Sequence, residues 1–254
     1  MATQILMVLG LAFLPFFALW GVSIAVKDAS IVDIFWGPSF VVTAFIAWVL
    51  ASNPNAVSVT VLALVTLWGL RLGIYLFRRN HGSAEDWRYQ KMRANHPDNF
   101  AVWSFYGVFG LQWAVMAVVS LPVVATLLSG GVFNALTFMG IAIFATGLAF
   151  EANGDWQLSR FKADPANAGK VMNKGLWAWT RHPNYFGDAT VWWGLGVIAL
   201  GAGHWWALIG PMVMTFFLIN ISGKAMLERK LAQTREGYEA YLQNTSGFFP
   251  LPPK

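Results

Sequence analysis

Apolar residues run along this chain in long unbroken blocks separated by short polar stretches, with no strict alternation. Runs long enough to cross a bilayer fall at roughly 5–26, 31–51, 56–77, 102–128 and 132–151. Two more lie near 184–202 and 205–222, the first interrupted by Asp188. Hydrocarbon cannot satisfy a free backbone, so each run is expected to be a helix. A closed barrel needs alternating segments of about ten residues, which these runs do not provide. Pro15, Pro38, Pro122 and Pro211 fall within or near the ends of runs, where proline kinks a helix. The pattern predicts an all-α integral membrane protein of seven transmembrane helices, built as a single domain over residues 1–254, with an amphipathic cytosolic tail over 223–254. No internal repeat, low-complexity tract or linker interrupts it.

Composition supports the same solvent. The 254 residues are 57% hydrophobic and 11% charged, with fourteen Trp and twenty Phe. Mean hydropathy is +0.52. A soluble domain carries roughly 25% charged residues, so this chain has too few to cover itself in water. Cysteine is absent, which excludes disulfides, thiolate nucleophiles and Cys-based metal sites. The four His (81, 96, 182 and 204) are scattered, and no metal site is expected.

The charges set an expected orientation. Lys27 follows the first run; Arg78, Arg79, Arg88, Lys91 and Arg93 follow the third. Arg160, Lys162, Lys170, Lys174 and Arg181 follow the fifth, and Lys224, Arg229, Lys230, Arg235 and Lys254 lie in the tail. The turns at 52–55, 129–131 and 203–204 carry no Lys or Arg. The positive-inside rule then puts the N-terminus outside and the C-terminus in the cytosol. No basic segment precedes the first run, which argues for a first span over a cleaved signal peptide. Basic loops facing anionic lipid account for the formal +5 charge, with no nucleic-acid partner required.

Ionisable residues inside or beside the runs carry the chemistry. Arg71 sits within the third run, where a charge costs a few kcal/mol and usually faces a wet cavity. It either snorkels to the inner headgroups or belongs to a cationic stripe with Trp68, Tyr75, Arg78 and Arg79, which share its helical face. Asp33 opens the second run, as a helix N-terminal acid favoured by the macrodipole or as an acid near a reacting group. The strongest local signal is Arg181-His182-Pro183-Asn184-Tyr185-Phe186-Gly187-Asp188. Pro183 suits a helix start. A helix N-terminus behind Arg181 and His182 forms a phosphate seat, and Asn184 and Asp188 share a face suited to a ribose or base. Asp155, Lys162, Lys170, Glu228 and Arg229 cluster with them on the expected cytosolic side. There is no G-x-G-x-x-G after a strand, no Walker loop and no H-E-x-x-H.

With those residues in view, the chain resembles the steroid 5-alpha-reductase superfamily, in particular its bacterial branch of unknown function. The resemblance runs over most of the length. It rests on Asp33…Trp36-Gly37-Pro38-Ser39-Phe40, Arg71-Leu72…Tyr75, Glu85-Asp86-Trp87-Arg88-Tyr89, Gly175-Leu176-Trp177, the stretch from Arg181 to Asp188, and Tyr238…Tyr241…Phe249-Pro250. It implies a seven-helix enzyme that holds NADPH in a cytosol-facing cavity and reduces a carbon–carbon double bond conjugated to a carbonyl in a lipid or steroid-like substrate. By motif position, Arg71, Tyr75, Asp155, Lys162, Lys170, Asn184, Asp188 and Tyr241 fall in or near the cofactor site. Arg78, Arg79, Arg181, His182, Tyr185, Glu228 and Arg229 join them on physical grounds. Arg71, Arg78 and Arg79 suit the extra phosphate of NADPH.

One departure bears on the reaction. Where steroid reductases carry a Gln-Glu pair and a Tyr facing the substrate carbonyl, this chain has Phe35-Trp36 and Trp68. Asp33 and Tyr75 are the residues expected to supply a proton instead. The alternative is an S-adenosylmethionine-dependent methyltransferase similar to the isoprenylcysteine carboxyl methyltransferases, which share an Arg-His-Pro-x-Tyr-x-Gly segment. A monomer in the bacterial inner membrane, with its site facing the cytosol, is expected.

Overall fold

The computed structural model describes residues 1–221, 228, 231, 234, 235 and 237–253. It is 79% helix, and no strand occurs among the described residues. Helices α1 (Ala2–Val26), α2 (Ile31–Leu50), α3 (Ala56–Asn80), α5 (Phe100–Val119) and α7 (Ala135–Ala163) are each long and apolar enough to cross a membrane. Short α4 (Trp87–Asn95) follows α3, and α6 (Leu121–Ser129) follows α5. Helix α8 spans Pro183–Gly201, α9 is the shorter apolar helix Trp205–Ile221, and α10 is Tyr238–Asn244.

The run predicted over 102–128 is divided. Residues Phe105–Gly110 are π-helical, and α5 ends at Val119, before Ser120. Helix α6 then restarts with Pro122 in its first turn, where the missing N–H costs nothing. Helices α3 and α7 continue past their apolar runs to Asn80 and Ala163, with Arg78, Arg79, Arg160 and Lys162 in their last turns. Cations there complement the helix dipole. Parts of the predicted tail, Lys224 and Lys230 among them, lie outside the described residues.

Contacts divide the chain into two compact units. The first is Met1–Phe133 with Ala199–Ala207. Helices α2 and α3 approach closely within it: a Cβ added at Gly69 would lie 2.6 Å from the Gly37 carbonyl oxygen, and one at Gly73 would lie 2.8 Å from the Pro38 ring. Phe40 and Trp68 fill the seam beside these glycines, ring centroids 5.6 Å apart and almost fully buried. Trp113 and Trp20 donate indole N–H bonds to the Leu9 and Ala101 carbonyls, tying α1 to α5.

The second unit is Asn134–Ile198 with Leu208–Lys254. Asn134 caps α7 in a reciprocal pair with Thr137. Gly140, Gly147 and Gly154 recur every seven residues along α7, close to two full turns, so they share a stripe with buried Glu151. Gly187 and Gly194 form the matching stripe on α8. A Cβ at Gly147 would come within 2.5 Å of the Val191 nitrogen, and one at Gly194 within 2.6 Å of the Phe144 nitrogen. Small residues let membrane helices meet backbone to backbone, where dispersion and weak polar contacts replace the hydrophobic effect. This seam fixes the end of α7 against the start of α8.

Candidate functional site

In the second unit the glycine seam delivers Asp155, at the polar end of α7, beside the first turn of α8. Asn184 donates from Nδ2 to Asp155 Oδ1 at 3.1 Å. Gly154 leaves room for this, since a Cβ there would sit 3.1 Å from the Asn184 nitrogen. Asp155, His182 and Asp188 are all buried. Between α7 and α8 the chain runs through Pro165–Asn167 to Gly175, whose φ of 60° lies in the left-handed region and whose missing side chain admits Gln157. Gln157 Oε1 accepts from the Leu176 N–H at 3.0 Å, and Trp177 Nε1 donates to the Gly154 carbonyl at 3.0 Å. These bonds hold the turn Leu176–Trp179 on α7 and aim Thr180, Arg181 and His182 ahead of α8, which starts at Pro183 as predicted.

Arg181 is engaged on several sides. Its Nε donates to Glu228 Oε1 at 2.7 Å, and its Nη1 donates to the carbonyls of Leu242 at 3.0 Å and Thr245 at 2.5 Å. His182 Nε2 lies 3.2 Å from the same Glu228 oxygen, and its ring stacks on Tyr185 with centroids 5.3 Å apart. Burial opposes the Glu228 charge, yet hydrogen bonds from His182 and Arg181 hold its carboxyl below the usual carboxylate range. Tyr241 donates to the Trp177 carbonyl at 2.6 Å. Burial, then the charge of Glu228, pushes the Tyr238 phenol up to about 12. Tyr241 rises for the same first reason, with Tyr238 beside it.

A groove of about 790 Å³ opens between the 168–173 loop and the tail. Lys170, Val171, Asn173, Ala178, Tyr241, Asn244 and Thr245 are among its lining residues. Lys170 and Tyr241 were expected at a cofactor site; Asn173, Asn244 and Thr245 were not, because nothing in the sequence says that the tail folds back over the 168–173 loop. The groove falls in the range of about 300–1,000 Å³ typical of small-molecule sites. It offers an ammonium, two amides and the hydroxyls of threonine and tyrosine, a donor set for an anionic, hydrogen-bonding ligand. Lys162 is exposed on the last turn of α7. Arg229 lies outside the described residues.

The other expected residues belong to the first unit. Arg71 and Tyr75 are half-buried on α3, Arg78 and Arg79 are exposed at its end, and the Arg79 guanidinium lies 5.8 Å from the Tyr75 ring centroid. Asp33 accepts two strong bonds, from Arg88 Nη2 at 2.6 Å and from the Tyr89 hydroxyl at 2.7 Å. Arg88 also donates from Nε to Asp86 Oδ1 at 2.9 Å. A second acid–Arg pair lies alongside: Glu85 Oε1 accepts from Arg93 Nη2 and from the Ala29 N–H, both at 2.8 Å. Burial works against the Arg88 charge, but Asp33 and Asp86 raise its pKa above the ordinary value. Burial and the Asp33 charge push the Tyr89 phenol well up, so it keeps its proton. Burial also opposes the Asp86 charge, which Arg88 nonetheless keeps below the usual range. Arg88 and Tyr89 are therefore site candidates that a reading centred on Asp33 alone missed, although they stand in the same Glu-Asp-Trp-Arg-Tyr stretch that carries the family likeness. Among the described residues no group of three or more His, Asp or Glu could hold a metal ion.

The chain is 26% identical over 270 aligned positions to an uncharacterized protein of Schizosaccharomyces pombe, covering 94% of this chain and 78% of the relative. A second similarity, 36% over 87 residues, is to the Ustilaginoidea virens protein described as "Probable O-methyltransferase ustE", and covers 34% of this chain and 29% of that one. No solved structure matches. The model of the family described as "Protein of unknown function (DUF1295)" matches residues 19–245. The chain therefore belongs to the DUF1295 family, within the steroid 5-alpha-reductase-like group.

Proposed function

We propose that the protein is a membrane-embedded, NADPH-dependent reductase of a carbon–carbon double bond conjugated to a carbonyl in a lipid or steroid-like substrate. The observation that carries this reading is membership, over most of the chain, of a family in the steroid 5-alpha-reductase-like group. The groove of the second unit supports it. Its volume of about 790 Å³ and its Lys170, Asn173, Asn244 and Thr245 donors suit the polar, anionic body of a dinucleotide. Lys170 would bind phosphate as a point charge, and the amides would bond ribose or base. When bound, NADPH supplies a hydride.

Reduction of a double bond also consumes a proton. Tyr75 is the group of the first unit we assign to supply it, whereas Asp33, expected to share that role, accepts from Arg88 and Tyr89 instead and fixes that phenol. We place α8 and α9 as the sixth and seventh spans. The resulting odd count, with basic residues gathered in alternate loops, puts the N-terminus outside and both charged segments in the cytosol.

A second reading, transfer of a methyl group from S-adenosylmethionine, is favoured by the 36% identity, over 34% of this chain, to a protein described as a probable O-methyltransferase. Thermal unfolding of the purified protein separates the two. Anything that binds the native state stabilises it by RT ln(1 + [L]/Kd), about 2.7 kcal/mol at a hundredfold excess over Kd. NADPH is expected to raise the melting temperature and S-adenosylmethionine to leave it unchanged. The reverse order would replace the reductase with the methyltransferase.

A further inference from the structure

The tail returns to the segment that precedes α8 and is fastened there by six hydrogen bonds. Tyr241 bonds the Trp177 carbonyl at 2.6 Å, and Thr180 Oγ1 bonds the Phe248 carbonyl at 2.9 Å. The Arg181 N–H donates to Ser246 O at 2.9 Å, and the Leu251 N–H donates to Trp179 O at 3.0 Å. Arg181 Nη1 supplies the remaining two, to the carbonyls of Leu242 and Thr245. Leu242 and Thr245 stand at the end of α10, where helix carbonyls lack intrahelical partners, so a guanidinium there satisfies groups that water or a cap must otherwise serve. The fastened residues Tyr241 and Thr245, with Asn244 between them, are also one wall of the groove. The opposite wall is the 168–173 loop, exposed except for half-buried Val171 and Met172.

We infer that residues 238–251 form a strap whose seating on 177–182, through Arg181, shapes the groove, and that filling the groove and seating the strap favour one another. Arg181 is thus a positioning residue that acts through the strap. Its guanidinium is directed at Glu228 and two tail carbonyls, and its side chain is 9% exposed. Reciprocity follows from linkage: a ligand that touches the strap wall gains only when the wall is in place, so it must in turn hold the strap down. The inference rests on the groove being the ligand site of the preceding reading. The strap itself can be tested with no ligand present.

The experiment is hydrogen exchange on the full chain in nanodiscs, followed over the strap and over α7. Arg181→Gln removes the fork while leaving an uncharged polar group, and exchange across 238–251 is expected to rise about tenfold or more with α7 unchanged. Arg181→Lys is expected not to restore protection, because one ammonium cannot reach Glu228 and both carbonyls together. Should Arg181→Gln fail to fold, Glu228→Gln removes one ion pair and is expected to give a smaller rise in the same segment. Strap protection that is unchanged in these variants, or lost together with α7, overturns the strap. In a second arm, whichever of NADPH or S-adenosylmethionine stabilises the wild type should slow strap exchange, and do so less in Arg181→Gln. A stabilising nucleotide that leaves strap exchange untouched overturns the coupling. If neither nucleotide stabilises the protein, the cofactor reading fails and the first arm still decides the strap.

Discussion

Asp33 shows what a charge at the edge of a membrane helix can be made to do. Its two oxygens are taken by Arg88 and Tyr89, with side chains 16% and 26% exposed for the acid and the arginine. Asp33→Asn removes the charge from one side of a partly buried pair and strands the other. A loss of about 1.5–3 kcal/mol in unfolding free energy is expected, measured by chemical denaturation in detergent. Tyr89→Phe breaks one bond and is expected to cost about 1 kcal/mol. Under the reductase reading, Asp33→Asn also slows turnover more than it weakens cofactor binding. Glu228 gives a pH test at the same scale. Its folded-state pKa is lowered from 4.5, so its contribution to stability is present above that value and is lost as pH falls through the depressed one. The difference in melting temperature between wild type and Glu228→Gln should therefore narrow as pH drops below about 4.5. A gap that widens in acid would contradict the pairing.

Among elements, the α7–α8 seam does most to place the site. Gly147→Ala would set a Cβ 2.5 Å from the Val191 nitrogen, on backbone that cannot step aside. Separating the helices is expected to cost about 1–3 kcal/mol and to disturb the Asp155–Asn184 bond at their shared end. Gly10→Ala, on α1, meets nothing within 4 Å and should be neutral or slightly stabilising, since alanine favours helix. Paired thermal melts of the two variants check this. The seven-residue spacing of Gly140, Gly147 and Gly154 stands in the sequence, but glycine spacing within one apolar run does not say which helix packs against it. The helices themselves were legible, because bilayer-length apolar runs leave the backbone one option. The break at Ser120 was less so: Pro122 announced a disturbance without saying whether the helix would kink or restart.

At the scale of the molecule, the two compact units divide the expected site residues between them. The start of α8, with Arg181, His182 and Asn184 around it, followed from local sequence, whereas Asp155 on α7 was expected beside them from motif position under the resemblance. The engagement of Arg181 with tail carbonyls did not, because it depends on where a segment sixty residues away folds back. Side-chain charge alone read Arg181 as a phosphate seat, whereas its hydrogen bonds go to Glu228 and the strap. The groove that results, walled by Lys170, Tyr241, Asn244 and Thr245, is where a nucleotide is expected. The most direct test is a titration of NADPH into the purified protein, followed by the cofactor's own fluorescence, with Lys170→Ala alongside. Saturable binding to the wild type, weakened about tenfold by loss of the ammonium, is the expected result. Absence of NADPH binding, or binding indifferent to Lys170, would contradict a dinucleotide seated in that groove.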